Sequence, residues 1–150
     1  MRAVIQRVSR ASVEVNGKLI SKIDTGMLIL LGVSNTDGEE EIKYLARKIA
    51  NLRIFNDEEG VMNRSLIDIE GEALVVSQFT LMARTKKGNR PSYIDAAKGE
   101  ISEPLYSRFC ESLSEQIARP VGRGIFGADM QVSLLNDGPV TIIIDTDAPA

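Results

Sequence analysis

A run of seven consecutive residues without a polar side chain, Met27 to Val33, places the strongest constraint on the fold of this chain. A continuous apolar run of this length is typical of a strand buried on both faces. Glu39 to Leu52 then carries apolar residues at helical spacing, with acidic residues in its first turn, where they suit the helix dipole. These two segments predict an amphipathic helix lying on a sheet.

Tight turns divide much of the remaining chain into further strands. Ala11 to Ile20 alternates apolar and polar residues around Asn16-Gly17, a pair that tolerates the positive φ angles of a two-residue hairpin turn. This segment predicts a β-hairpin. Residues 2–8, 73–81, 130–135 and 140–145 are also predicted to be strands, with a turn at 136–139 between the last two.

A second helix is predicted from Ser102, as its N-cap, to Ala118, with Pro104 tolerated in its first turn. The chain is therefore expected to be α+β, with about seven or eight short strands and two long helices. Its sheet is expected to be largely antiparallel or a partial β-barrel. We expect one domain over residues 1–150, because the sequence contains no internal repeat or linker.

The chain contains no histidine, and this excludes every Ser-His, Cys-His and His-metal constellation. Catalysis would therefore depend on carboxylates, main-chain amides, lysines, hydroxyls or groups of the substrate. We expect no metal and no other cofactor. Residues 122–127 match the G-x-G-x-x-G fingerprint, but they follow a predicted helix and precede a strand, so no dinucleotide site is predicted.

A cytoplasmic protein without a membrane partner is expected. No apolar run approaches the roughly 18 residues that a membrane span requires, and the amino terminus lacks the long apolar segment of a signal peptide. The single Cys110 cannot form an internal disulfide, which suits a reducing compartment. By its position Cys110 is expected to be a small core residue.

Polar side chains end the otherwise apolar predicted strand at residues 73–81. Ser77, Gln78 and Thr80 are poor choices for an interior unless a polar group docks against them. Polarity alone also suits an ordinary strand end, so this segment is only a candidate site. Arg7 is equally conspicuous in the first strand, where it either finds a carbonyl partner or extends along a strand edge to water.

A cationic loop follows the candidate site. The net charge of −3 argues against indiscriminate nucleic-acid binding, but no acidic residue lies between Glu72 and Asp95. The loop is either an ordinary solvated segment or a phosphate-binding site. Its candidate phosphate ligands are Arg84, Lys86, Lys87 and Arg90.

The chain contains two motifs, Ser77-Gln78-Phe79-Thr80-Leu81 and Asn136-Asp137-Gly138-Pro139-Val140-Thr141. Both resemble the signatures of the D-aminoacyl-tRNA deacylases, and the resemblance extends over the whole chain. It implies hydrolysis of the ester that links a D-amino acid to the 3′ end of tRNA. It also implies a homodimer, in which the Ser77–Thr80 segment of one subunit meets a cis Gly138-Pro139 peptide of the other.

The resemblance also implies roles for individual residues. The catalytic set is Ser77, Gln78, Phe79 and Thr80, and the substrate-binding set is Leu81, Gly138, Pro139, Arg7, Phe126 and Met130. Carbonyl groups of the Gly138-Pro139 peptide would exclude an L side chain. Glycine presents no side chain to that wall, so activity on glycyl-tRNA is expected as well. Phe126 and Met130 would wall the adenosine or the amino-acid pocket, although both also suit an ordinary core.

The expected chemistry depends mainly on the main chain. N–H groups around Phe79 and Thr80 would form an oxyanion hole, and the 2′-hydroxyl of the terminal adenosine would assist the attack of water. The Thr80 hydroxyl is the less favoured nucleophile, because no adjacent base is evident. The alternative functions are a non-catalytic module that binds the 3′ end of tRNA, and a structural dimer. Aromatic residues make up 5% of the chain, which predicts RNA contact confined to phosphates and a captured 3′ end.

Overall fold

The computed structural model describes residues 1–148, and in this range it contains eight strands and two α-helices. A short 3-10 helix, Phe79–Met82, follows the sixth strand. In chain order the other elements are β1 (Arg2–Val15), β2 (Lys18–Ile23), β3 (Gly26–Gly32), α1 (Glu39–Asn51), β4 (Phe55–Asn56), β5 (Met62–Arg64), β6 (Glu72–Ser77), α2 (Gly99–Ile117), β7 (Gly122–Arg123) and β8 (Gln131–Asp145).

Six of these strands form one mixed sheet in the order β2-β1-β3-β6-β7, with β8 paired to the other edge of β1. The pairings of β1 with β2, β3 and β8 are antiparallel, whereas β3 pairs with β6, and β6 with β7, in parallel. The sheet curls so far that β2 approaches β7. This close approach is evident at Gly122, where an added Cβ atom would lie 2.6 Å from the Ser21 hydroxyl. The expected α+β fold with a partial barrel is confirmed.

Residues 27–32 of the apolar run lie in β3, at the centre of the sheet, and the expected burial on both faces is confirmed. One core cluster fills the space between the sheet and the two helices. A smaller cluster covers the other face, where Leu28 and Leu74 lie under residues of β8. The first cluster includes Ile5, Met27, Ile29, Leu31, Ile42, Leu45, Ile49, Val75, Phe109 and Leu113.

Strands β1 and β8 are long and continuous, whereas each was expected to be two short strands. Their ladder contains a large irregularity: Thr141 pairs with Gln6 and Asn136 pairs with Val8, so residues 137–140 lie opposite Arg7 alone. The turn expected at 136–139 is therefore a four-residue bulge inside β8. A bulge of this kind lets a strand re-aim a few residues without ending its pairing.

The predicted start of the second helix is wrong. Helix α2 begins at Gly99, with Lys98 as its N-cap, and Ser102 lies inside it. The Ser102 hydroxyl donates to the Lys98 carbonyl at 3.0 Å, four residues back, so it satisfies a helix carbonyl instead of capping N–H groups. Pro104 accordingly falls in the second turn of α2.

Residues 122–127 do not have the geometry of a dinucleotide fingerprint. They include β7, and the next element along the described chain is β8, whereas the fingerprint must open a helix. No helix in the part of the chain that the structure describes is long and apolar enough to cross a bilayer.

Candidate active site

The segment Ser77–Thr80 changes direction instead of continuing as a strand. Strand β6 ends at Ser77, so the expectation of a strand through Leu81 is wrong. The Gln78 N–H makes one further bond to the sheet, to the Leu31 carbonyl at 2.8 Å. Its own carbonyl then accepts from the Leu81 N–H at 3.2 Å, which closes the 3-10 turn.

This turn presents main-chain donors. The opening N–H groups of a helical turn have no acceptor inside it. Those of Phe79 and Thr80 have no acceptor elsewhere within residues 1–148 either. Gln78 Nε2 donates to Thr80 Oγ1 at 2.5 Å, so the hydroxyl is held by an amide donor.

A pocket of about 280 Å³ lies beside the turn. It brings together Ser77, Gln78 and Phe79 with two residues from the far end of the chain, Phe126 and Met130. Thr80 and Leu81 are not among the lining residues. The remaining lining is Leu31, Val33, Val76, Ala97, Ser102, Tyr106, Gly127, Ala128, Asp129 and Val132.

Tyr106 forms part of the pocket wall and was not recognised in the sequence, where it resembles one more core residue of α2. Its hydroxyl donates to the Val75 carbonyl at 2.7 Å, and its ring lies 6.0 Å from that of Phe126. Burial raises the pKa of the Tyr106 hydroxyl, so it stays a neutral donor. Burial also raises the pKa of the Cys110 thiol, one turn later, to about 11, as suits an inert core residue.

Arg7 and the Gly138-Pro139 bulge form a second group. Arg7 is buried, and its Nε donates to the Asp137 carbonyl at 2.9 Å while Nη1 donates to the Ile54 carbonyl at 2.8 Å. The peptide between Gly138 and Pro139 is cis, and Gly138 has a φ of 135°. Arg7 therefore has carbonyl partners, one of the two alternatives that the sequence left open.

The two groups do not meet within one chain. Arg7, Gly138 and Pro139 are absent from the pocket lining. Arg7 lies in the β1–β8 ladder and joins the bulge to the segment before β4. The pocket lies elsewhere, between β6, α2 and the start of β8. The two motifs thus lie at separate places in the folded chain.

The cationic loop is closed at its base by Arg84. The Arg84 and Ser92 main chains exchange hydrogen bonds at 2.8 and 3.0 Å. The Arg84 guanidinium donates from Nε and Nη2 to the two oxygens of the Asp95 carboxylate at 2.5 and 2.7 Å. Hydrogen bonding from Arg84 lowers the pKa of Asp95. Arg84 thus differs from the other predicted phosphate ligands, because its charge is already paired. Lys86, Lys87 and Arg90 are exposed and form no ion pair within residues 1–148.

Arg2 supports the 3-10 turn of residues 79–82 and was also not recognised in the sequence. Its Nε and Nη2 donate to Asp145 Oδ2 at 2.9 and 2.7 Å, and its Nη1 donates to the Leu81 carbonyl at 2.5 Å. Leu81, a predicted substrate-binding residue, thus uses its carbonyl inside the protein. Burial opposes ionisation of Asp145, but hydrogen bonds from the Asp147 N–H and from Arg2 outweigh it and lower the pKa.

Free main-chain N–H groups beside a pocket are the arrangement with which enzymes stabilise an oxyanion in acyl transfer. Among residues 1–148, no group of three or more Cys, Asp or Glu side chains forms a metal-binding cluster. The free N–H groups beside the pocket thus have the arrangement found in hydrolases that act on acyl groups.

Comparison with known proteins identifies the family within that class. The family described as D-Tyr-tRNA(Tyr) deacylase matches residues 4–145. D-aminoacyl-tRNA deacylases of Bacteroides thetaiotaomicron and Porphyromonas gingivalis are 62% and 63% identical over 146 residues, covering 97% of each chain. That of Chromobacterium violaceum is 59% identical over 149 residues, covering 99% of each chain. The chain belongs to the D-Tyr-tRNA(Tyr) deacylase family and is a hydrolase, as the two motifs predicted.

Two solved structures share the fold of this chain. A structure named "c-Myc DNA Unwinding Element Binding Protein" superposes with a TM-score of 0.92 at 45% identity, covering 100% of both chains. One described as a probable eukaryotic D-amino acid tRNA deacylase has a TM-score of 0.81 at 19% identity, covering 95% of this chain and 97% of the other. At that identity the second likeness shows the fold alone.

Gly138→Ala should destabilise the protein. An L residue rarely adopts the φ of 135°, and the new Cβ would lie 2.9 Å from Val140 Cγ2 and 3.0 Å from Arg7 Nη2. Strain of about 1–3 kcal/mol should lower the midpoint of thermal unfolding by roughly 3 to 10 °C in a chain of this size. Gly99→Ala is the matched control, because its Cβ would make only an ordinary contact, 3.6 Å from Phe126. Equal midpoints for the two variants would contradict the expectation.

Arg2→Ala should lower the unfolding midpoint by about 2 to 8 °C, because it removes two bonds to Asp145 and one to Leu81. The pKa of Asp145 is lower in the folded state than its ordinary value of 3.8. The contribution of the Arg2–Asp145 pair to the free energy of unfolding is therefore complete above pH 3.8 and is lost as the pH falls through the pKa of Asp145 in the folded state. Unfolding scans at pH 7 and pH 3 should show a smaller difference at pH 3. Arg10→Ala, an exposed arginine of β1, is the control, and an equal effect there would contradict a specific role for Arg2.

Proposed function

We propose that this protein hydrolyses the ester bond between a D-amino acid and the 3′ end of tRNA, releasing free tRNA and the D-amino acid. The observation that carries the proposal is the pair of free N–H groups at Phe79 and Thr80 beside the pocket. Family membership supports it, since relatives of 59–63% identity are named for this activity.

In the proposed reaction, water attacks the carbonyl carbon of the ester and a tetrahedral intermediate forms. Its oxyanion accepts hydrogen bonds from the N–H groups of Phe79 and Thr80, each contributing roughly 10²- to 10³-fold in rate. The intermediate then breaks the bond to the ribose 3′-oxygen, which takes up a proton. The neighbouring 2′-hydroxyl of the terminal adenosine assists the attack of water, because the chain has no histidine to act as the base.

Thr80 positions the ester in this scheme. Its hydroxyl accepts from Gln78 Nε2, which leaves its own proton free to donate to the substrate. A hydroxyl that accepts from an amide has not been activated for nucleophilic attack, because activation requires a base that removes its proton.

The pocket accommodates the terminal adenosine in this proposal. Its walls are mainly apolar, and the Phe126 ring offers a surface on which a base can stack. Met130 closes the same side, and Tyr106 sets the position of Phe126 through their ring contact. The ester then lies at the polar end of the pocket, near Ser77 and Gln78.

A second copy of the chain completes the site. Gly138 and Pro139 lie outside the pocket of their own subunit, so the partner's bulge is proposed to supply the wall. Strand β8 has a free edge in the described chain and exposes Leu135 and Ile143, which are 50% and 67% accessible. A long apolar edge strand is unusual in a monomer, and pairing between copies would cover it.

Chirality is then discriminated by main-chain sterics. The carbonyl groups of the partner's bulge occupy the space that the side chain of an L-amino acid requires, whereas a D side chain points away. Arg7 supports this wall, because its bonds to Asp137 and Ile54 hold the bulge against the sheet. Glycine has no side chain to exclude, so glycyl-tRNA is proposed as a second substrate.

The tRNA backbone is held by the exposed cations of the loop, Lys86, Lys87 and Arg90, in this proposal. Arg84 closes the base of the loop and keeps these cations beside the pocket. The alternative function is a non-catalytic module that binds the 3′ end of tRNA. The printed name of the 45% identical structure, which refers to DNA binding, is the observation that favours this alternative.

Release of the amino acid from D-tyrosyl-tRNA, L-tyrosyl-tRNA and glycyl-tRNA tests the proposed function. The D ester and the glycyl ester should be hydrolysed, and the L ester should react at least about 100-fold more slowly, since a rigid wall rejects a misfitting group strongly. Equal rates on the D and L esters would refute the chirality mechanism. No release from any ester, with binding of tRNA retained, would favour the binding module.

Thr80→Ala should keep at least about a tenth of the turnover, because the N–H groups that stabilise the oxyanion belong to the main chain. The measurement is kcat on D-tyrosyl-tRNA, with Thr25→Ala, an exposed threonine away from the pocket, as the control. Loss of nearly all turnover, together with an acyl-enzyme trapped in the unsubstituted protein, would instead identify Thr80 as a nucleophile.

A further inference from the structure

Two aromatic residues meet at the rim of the pocket. The rings of Phe79 and Tyr93 pack edge to face, with centroids 5.1 Å apart and planes at 75°. Both remain accessible, 57% for Phe79 and 40% for Tyr93, and Phe79 also lines the pocket. The sequence predicted RNA contact without aromatic stacking, but the fold brings together two rings that are fourteen positions apart.

The Tyr93 backbone is held on both sides. Ser92, immediately before it, exchanges main-chain hydrogen bonds with Arg84, and Asp95, two residues later, receives the Arg84 guanidinium. The Tyr93 carbonyl accepts from the Ala96 N–H at 3.1 Å. A residue whose backbone is already fixed loses less conformational entropy when a ligand stacks on its ring, which favours binding.

The charge around this pair suits a nucleic acid. Lys86, Lys87 and Arg90 lie in the loop that ends at Tyr93, and they form no ion pair within the described residues. The carboxylate of Asp95 is neutralised by Arg84. An aromatic surface flanked by unpaired cations is the arrangement with which proteins bind single-stranded nucleic acid, the bases stacking and the phosphates meeting the charges.

We propose that Tyr93, supported edge-on by Phe79, is the stacking site for the penultimate nucleotide of the RNA 3′ end. The inference rests on the proposed function, in which the terminal nucleoside enters the pocket. The preceding nucleotide then crosses the pocket rim, where Phe79 and Tyr93 lie, and its phosphates face the cationic loop. This subsite anchors the strand through its second base and does not contact the ester.

Substrates of different length separate this subsite from the catalytic site. D-tyrosyl esters of adenosine, of the trinucleotide CCA and of intact tRNA differ in whether a penultimate nucleotide is present. Tyr93→Leu removes the ring but keeps apolar bulk against Phe79, and Tyr93→Phe restores the ring. Tyr44→Leu is the matched control, because Tyr44 is a comparably exposed tyrosine on α1.

Tyr93→Leu should lower kcat/KM about tenfold on the CCA and tRNA esters, mainly through KM, since a stacked base contributes that order of affinity. Its rate on the adenosine ester should change less than twofold. Tyr93→Phe should restore the longer substrates to within about twofold of the unsubstituted protein. An equal loss on all three esters, or no loss on any, would overturn the inference.

If the unsubstituted protein hydrolyses none of the esters, that outcome counts against the proposed function alone. The stacking site is then tested by binding measurements. Fluorescence titration with uncharged CCA and with adenosine should show that Tyr93→Leu weakens binding of CCA only. Light scattering should show the same molar mass for Tyr93→Leu and the unsubstituted protein. A lower mass would assign the aromatic pair to an interface between copies of the chain and would overturn the inference.

Discussion

The hydrogen bonds of the buried Arg7 guanidinium are the interactions that hold the bulge of β8 in place. A buried arginine must have acceptors for its N–H groups. Arg7 obtains them from the Asp137 carbonyl in β8 and the Ile54 carbonyl before β4. Because these partners come from separate parts of the chain, one side chain sets where the bulge of residues 137–140 stands relative to the sheet. The register of the β1–β8 ladder is interrupted at this same residue.

The candidate catalytic groups are main-chain atoms, so the surrounding side chains act mainly by holding the backbone. Tyr106 binds the Val75 carbonyl in β6, and Arg2 binds the Leu81 carbonyl beyond the turn. Between these two points the Gln78 N–H is attached to β3. The turn that carries the N–H groups of Phe79 and Thr80 is thus held before, within and after its sequence. In the proposed mechanism this rigidity matters, because a preorganised amide needs no change of protonation state to stabilise negative charge.

Local patterns predicted much of the fold correctly. The apolar run in β3 and the Asn16-Gly17 hairpin are local signals, and the structure contains both. The errors fall at the ends of elements. Ser102 has the chemistry of an N-cap, yet α2 begins three residues earlier and uses its hydroxyl internally. The polar strand end continues as a 3-10 turn because the partner strand β3 stops pairing there.

The sequence by itself determined the fold class, the two motifs and therefore the family, because periodicity, turn chemistry and short motifs are properties of neighbouring residues. Only the tertiary structure decided that Arg84 is paired with Asp95, that Phe79 meets Tyr93, and that the bulge lies outside the pocket of the same chain. The physical reason is the same in each case. These relations join residues far apart in the chain, and strand register and core packing, which depend on all the elements at once, decide which of them come within reach.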